Sequence, residues 1–363
     1  MSESRLLERF FRYVSCASES GNEKQFCELL ESELKAVGME IIRDEVGEKV
    51  GSNGWNIYAC LPGEGEPILF SAHMDTVPNG IEIAPVVSGG IVRSAGETIL
   101  AADDKSGIAP VVEALQIIKE ENRTHRPVEV LFSVCEEVGL LGSKYADYSN
   151  VKSKQAIVLD NGRHGSVVNN SPAKLELHVK VTGRSAHAAV QPSKGVNAIK
   201  AAAAAIAKIP SGEVDDQTVM NVANFLSPGK SNVVPDKASF DLDMRSFDND
   251  RLETHVENVK AALREACEEI GASFEVEIDR QAEILFVPPE SELIARLGEV
   301  YGALGIEHKI ERTYGGSDAT WIFQNGIDVV NIGTGMADVH SSEEHISVAD
   351  LETTLKIVLA MTE

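Results

Sequence analysis

The chain has 363 residues, 43% of them hydrophobic, and a formal net charge of −24. That length can bury a sizeable core and favours about two domains. The excess of acid argues against nucleic acid and anionic membrane surfaces as partners, and no apolar run approaches the roughly 20 residues that span a bilayer.

In chain order, residues 1–10 read as an amphipathic helix and not as a signal peptide. The apolar run 67–70 reads as a buried strand and leads into Ser71-Ala72-His73-Met74-Asp75. Next, Ala101-Ala102-Asp103-Asp104-Lys105-Ser106-Gly107 opens a core-facing helix whose apolar periodicity covers 108–118. Two further buried-type strands come after it, 128–134 running into Glu136-Glu137 and 156–159 running into Asp160. Three strands thus end in residue types that ligate metals. Sites in open α/β sheets collect at the carboxyl ends of the strands, so three such endings predict one shared site.

The texture changes at Ser171-Pro172. Residues 174–181 alternate, with Leu175, Leu177, Val179 and Val181 on one face, which predicts a half-exposed strand. An alanine-rich helix over 197–206, strands over 217–226 and 238–245, a helix over 249–270 and a strand over 273–278 complete the segment. That βαββαβ order matches the ferredoxin-like arrangement. It predicts a second domain, 172–285, inserted into a first domain made of 1–171 and 286–363. The first domain resumes with a helix over 290–304 and a strand over 327–332. The expected fold is therefore α/β: a mixed, mostly parallel sheet flanked by helices, with an inserted βαββαβ domain. Gly333-Thr334-Gly335 reads as a tight turn, because no Gly-Lys-Ser/Thr phosphate loop comes after it.

Asp338-Val339-His340 adds a second imidazole after that turn. His73, Asp103, Glu137, Asp160 and His340 together supply two imidazoles and three carboxylates. If Asp103 bridges, each of two ions receives one histidine, one private carboxylate and the shared one. Such mixed ligation suits zinc, cobalt or manganese better than magnesium or calcium. Taken singly the motifs have blander readings: Asp103-Asp104 as a helix cap, Glu136-Glu137 as a solvated turn. The joint pattern is what points to a metal centre. The other histidines, His125, His164, His178, His255, His308 and His345, have no supporting constellation and read as surface or core residues. The five cysteines, Cys16, Cys27, Cys60, Cys135 and Cys267, are scattered and contain no Cys-x-x-Cys pair. They read as reduced, buried thiols of a cytoplasmic protein.

The set His73-x-Asp75, Asp103-Asp104-Lys105, Glu136-Glu137, Asp160 and His340 resembles the zinc peptidases typified by peptidase T, carboxypeptidase G, aminoacylase and succinyl-diaminopimelate desuccinylase. The resemblance spans essentially the whole chain. Gly315-Gly316-Ser317-Asp318-Ala319 and the early Ala102-Asp103-Asp104-Lys105 are most similar to the peptidase T branch. The resemblance implies a zinc exopeptidase-like catalytic domain with two Zn2+ per subunit, Co2+ or Mn2+ being alternatives. His73 and Asp160 would hold one ion, Glu137 and His340 the other, and Asp103 both. Asp75 would orient the His73 ring, Glu136 would be the general base, and the peptide after Asp103 would be cis. The inserted domain would be a lid that mediates homodimerisation, with His187 donating to the oxyanion, in trans in dimeric relatives. Asn232 and Arg245 would bind substrate, Arg245 through the peptide α-carboxylate, and Gly316, Ser317 and Asp318 would line the pocket. The expected activity is removal of the N-terminal residue from short peptides, foremost tripeptides, by attack of a metal-bridging hydroxide. An N-acyl amino acid amidohydrolase or dipeptidase is the alternative, and a non-catalytic peptide-binding or scaffold relative the remote one.

Overall fold

Three apolar runs become adjacent strands: Val128–Ser133, Ile68–His73 and Gln155–Asn161, parallel and in that spatial order. Every residue of the first two is buried, as in strands covered on both faces. Asp328–Gly333 joins in parallel beside Gln155–Asn161. On one flank Asn56–Leu61 and Glu40–Asp44 extend the sheet antiparallel. On the other, Ser166–Ser171 pairs antiparallel to Asp328–Gly333 and carries Leu285–Phe286 and Lys309–Arg312. This computed structural model describes residues 2–363, in two compact units: the chain up to Asn170 with Leu285–Glu363, and Ser171–Ile284.

Helix Ala102–Glu121 is buried along most of its length. It lies so close to the sheet that a Cβ at Gly107 would stand 2.7 Å from the Leu159 carbonyl oxygen and 2.8 Å from Asp104 Oδ1. Only glycine permits that approach. The helix is also tied through charge. Buried Glu113 receives Arg5 and Arg9 from helix Ser2–Val14, while Glu33 of helix Lys24–Val37 receives Arg9, Arg12 and the Tyr13 hydroxyl. Buried Glu113 is thus paired, which burial of charge demands, and half-buried Glu33 is paired as well.

The second unit runs Ala173–Thr182, Ala198–Ile206, Thr218–Leu226, Lys237–Ser246, Asn249–Ile270 and Ser273–Ala282, in the order βαββαβ. Its strands lie side by side as Thr218–Leu226, Lys237–Ser246, Ala173–Thr182, Ser273–Ala282, all antiparallel, with Gly212–Glu213 at the outer edge. Leu175, Leu177, Val179 and Val181 join Phe240, Leu242 and Met244 in one core with Ala201, Ala202 and Ala205 of the first helix and Leu252, Val256 and Leu263 of the second. Asp248 starts the second helix by accepting the N–H groups of Asp250 and Arg251, and Gly271, at φ 80°, ends it. No helix among the described residues is long and apolar enough to cross a membrane.

Candidate metal centre

Three neighbouring parallel strands deliver three donors. His73 is the last residue of Ile68–His73 and stands opposite Ser133 in register. Glu136 and Glu137 lie just beyond that neighbouring strand, and Asp160 sits near the end of Gln155–Asn161. Asp103 comes from the opening of helix Ala102–Glu121, where Asp103 and Asp104 depart from helical dihedrals and their shared peptide is cis. His340, at φ 62°, comes from the segment after strand Asp328–Gly333.

Asp103 offers one oxygen to each histidine: Oδ1 is 2.8 Å from His73 Nε2 and Oδ2 is 3.1 Å from His340 Nε2. Glu137 Oε1 is 2.9 Å from the same His340 nitrogen, and Asp160 Oδ1 is 4.0 Å from His73 Nε2. Two donors bound to one tetrahedral zinc at about 2.0–2.2 Å stand about 3.4 Å apart, and these gaps bracket that separation. Asp104 is a further donor at the centre. It groups with His73 and Asp160 within 4.8 Å, accepts the His73 N–H at 3.2 Å, and leaves Oδ1 buried without a hydrogen-bond partner. A carboxylate with an unpartnered oxygen, on a residue grouped with imidazole and carboxylate donors, fits a place for cations.

The charges agree. Burial raises the pKa of Glu136, Asp160 and Asp104 well above the carboxylate range, with neighbouring carboxylates adding to the effect. Burial also raises Glu137, again with carboxylates beside it. Asp103 goes the other way: burial opposes its charge, but hydrogen bonds from His340 and His73 hold its carboxyl low. The hydrogen bond to Asp103 lifts His340 to about 9, and burial fails to offset the carboxylates that raise His73. The cluster concentrates more negative charge than its two imidazoles can neutralise, and dications would relieve it.

Asp75, expected to orient the His73 ring, faces it with its main chain first. His73 Nδ1 is 3.0 Å from the Asp75 carbonyl oxygen and 3.5 Å from its carboxylate. The carboxylate itself accepts the N–H groups of Glu136 at 2.9 Å and Glu137 at 3.2 Å, and the Ser20 hydroxyl at 2.7 Å. It therefore fixes the turn that carries both glutamates. Asp318, expected to line the pocket, is buried, and its two oxygens accept the hydroxyls of Ser133 and Ser143. Its carboxylate anchors the turn before helix Ala319–Gln324. Ser317 is buried beside it, while Gly316 is exposed and a Cβ there would stand 3.3 Å from Leu140. Lys105 is fully buried: its ammonium donates to the Cys16 carbonyl at 3.0 Å, lies over the Phe26 ring, and is lowered by burial to about 8.

In the second unit, exposed His187 accepts the N–H groups of Ala189 and Val190 at Nδ1, at 3.3 and 3.2 Å. With Nδ1 occupied as an acceptor, Nε2 is the nitrogen left to donate. Asn232 lies opposite this segment, its carbonyl accepting the Ala188 N–H. Arg245 is paired bidentately with Asp243, at 2.8 and 2.9 Å. A separate donor group of Glu176, His178 and Asp241 is explained by strand register, since Asp241 stands opposite His178 and pairs with it at 2.9 Å.

Residues 69–363 match the family described as Peptidase family M20/M25/M40. The chain is 32% identical to the uncharacterized protein YqjE of Bacillus subtilis, covering 100% of this chain and 99% of that one. It is 32% identical, at a TM-score of 0.93, to the crystal structure of aminopeptidase PepT from Bacillus cereus, covering 99% of this chain and 98% of that one. A tripeptidase from Staphylococcus aureus is 29% identical at a TM-score of 0.95, over 99% of this chain and 97% of that one.

Proposed function

The chain belongs to peptidase family M20/M25/M40, and on that footing we propose that it is a dinuclear zinc aminopeptidase removing the N-terminal residue from short peptides, tripeptides foremost. The observation that carries this reading is Asp103, with one carboxylate oxygen turned to each of two imidazoles and a second carboxylate beside each. His73 and Asp160 would hold one ion, Glu137 and His340 the other, and Asp103 both. The donor set favours zinc, with cobalt and manganese able to use it. Two dications there would polarise the scissile carbonyl and lower the pKa of a water between them from about 15.7 towards about 7.

The chain's own residues do the rest. Glu136 is buried beside ligand Glu137, and its backbone is fixed by Asp75. It takes the proton of the attacking water and returns it to the departing amine. His187, with Nδ1 occupied as an acceptor, offers Nε2–H to the oxyanion. Arg245 holds the peptide α-carboxylate in place of Asp243, and Asn232 supplies an amide to the same substrate. Gly316 keeps the space beside Leu140 open. The resemblance to lid-bearing peptidases supports a homodimer formed through the second unit. The acidic charge and the free cysteines support a reducing, cytoplasmic setting without nucleic acid partners.

Glu136→Gln tests the assignment of the base. It is expected to cost about 10²–10⁴ in turnover and to retain both metal ions. Loss of an ion from that variant would make Glu136 a ligand and contradict the assignment.

A further inference from the structure

Helix Ala102–Glu121 has no cap of its own: Ala101, at φ 61°, provides no side-chain acceptor. The first N–H groups of a helix need partners. Here one of them, that of Asp103, finds its partner 241 residues away. Glu344 is 1% exposed, and its Oε2 accepts the N–H groups of Leu100 and Ala101 at 2.8 and 3.0 Å, while Oε1 accepts that of Asp103 at 3.0 Å. The carboxylate therefore grips the main chain on both sides of the turn that presents Asp103.

Glu344 also belongs to the loop that presents His340. Ala337 and His345 exchange both main-chain hydrogen bonds, at 2.9 and 3.0 Å, and close the loop between them. Inside it Asp338 and His340 both adopt positive φ, and the Ser341 hydroxyl donates to the Asp338 carbonyl at 2.6 Å. A second tie runs in parallel, from the Ser106 hydroxyl to that of Thr334 at 2.8 Å. Three N–H donors held by one buried carboxylate form the stronger link, since bonds to an ionised acceptor are shorter and stronger than neutral ones.

We propose that Glu344 is a positioning residue of the metal centre: its carboxylate fixes Asp103 and His340 relative to one another, so that both reach the same ion. The proposal rests on the reading of Asp103 and His340 as ligands. Glutamine at 344 keeps the length but turns one acceptor oxygen into a donor that faces an N–H group. Residues that orient metal ligands typically change metal affinity by about 10–100-fold when replaced.

The test is zinc affinity, measured by competition with a chromophoric chelator on the metal-stripped full chain, with an apoprotein melt alongside. Glu344→Gln is expected to bind zinc about 10–100-fold more weakly at a temperature where wild type and variant are both folded. A lower melting temperature with zinc affinity unchanged would make Glu344 a merely structural cap and overturn the proposal. If Glu344→Gln does not fold, Glu344→Asp carries the test, because it keeps the charge and both acceptors while drawing them back by one methylene. Failure of both to fold would assign Glu344 to folding and also overturn the proposal. The readout is independent of peptide cleavage: a wild type that binds two ions and cuts no tripeptide would refute the proposed activity and leave this inference standing.

Discussion

Asp75→Asn removes one charge and little else, yet it should unsettle the turn that carries both glutamates. Asp75 is fully buried, with Oδ1 accepting the Glu136 N–H and Oδ2 accepting the Glu137 N–H and the Ser20 hydroxyl. An asparagine has one acceptor oxygen, so in either orientation its amide nitrogen confronts a main-chain N–H. An unsatisfied buried donor costs about 1–3 kcal/mol. In a domain of this size, about 2–4 °C of melting temperature corresponds to each kcal/mol. The turn relaxes by moving the glutamates, and a displacement of about 1 Å at a catalytic group costs about 10²-fold in rate. The assay is turnover of a tripeptide by zinc-loaded protein, well below the melting temperature of the variant, with melts recorded in parallel. Turnover within threefold of wild type (about 0.6 kcal/mol in barrier) would refute the role assigned to Asp75. Ser20→Ala, which removes only the hydroxyl, is expected to have the smaller effect of a single net hydrogen bond, about 1 kcal/mol.

Zinc affinity should rise with pH. The hydrogen bond to Asp103 lifts His340 to about 9 in the metal-free chain, so below that pH a proton must leave before Nε2 can ligate. Each such proton weakens binding about tenfold per pH unit of acidification; competition titrations showing no difference between about pH 6.5 and about pH 7.5 would contradict the histidine assignment. Gly107→Ala places a methyl 2.7 Å from the Leu159 carbonyl oxygen, and forcing the helix off the strand should cost about 1–3 kcal/mol, read as a lower melting temperature; an unchanged melt would show that the packing gives way freely. Arg245→Ala should lower kcat/KM for a free tripeptide by about 10–100-fold and make free and C-amidated peptides equivalent substrates, whereas an equal loss on both would reduce Arg245 to a partner of Asp243.

The donors on strand ends are legible because buried parallel strands announce themselves as continuous apolar runs. For Ile68–His73, Val128–Ser133 and Gln155–Asn161, the residues at and just beyond the end of each run are the candidate donors, and it is their joint pattern that points to a metal centre. His340 is legible less directly, as the second imidazole that completes the count of donors, since it lies beyond any strand and sits in a closed loop at positive φ. Glu344 leaves no local signal at all. Its three hydrogen bonds join segments more than 240 residues apart. Asp318 is hidden for a related reason: a glycine-rich turn looks open, and the two serine hydroxyls that occupy its carboxylate lie on other elements. Lys105 shows the limit of composition. Nothing in the segment around Lys105 marks it as interior, yet burial against Phe26 and a carbonyl partner place it there. His178 has a partner after all, supplied by the register between Ala173–Thr182 and Lys237–Ser246 that places Asp241 opposite it.

The most direct test of the account is the cleavage pattern of the zinc-loaded protein, monitored by mass spectrometry, on a free tripeptide, its N-acetylated and C-amidated forms, and an N-acetyl amino acid. The account predicts rapid release of the first residue from the free tripeptide, weak cleavage of the amidated form, and none of either acetylated compound. Cleavage of the N-acetyl amino acid with the free tripeptide left intact would contradict it, keeping the metal centre and transferring the chain to the amidohydrolases.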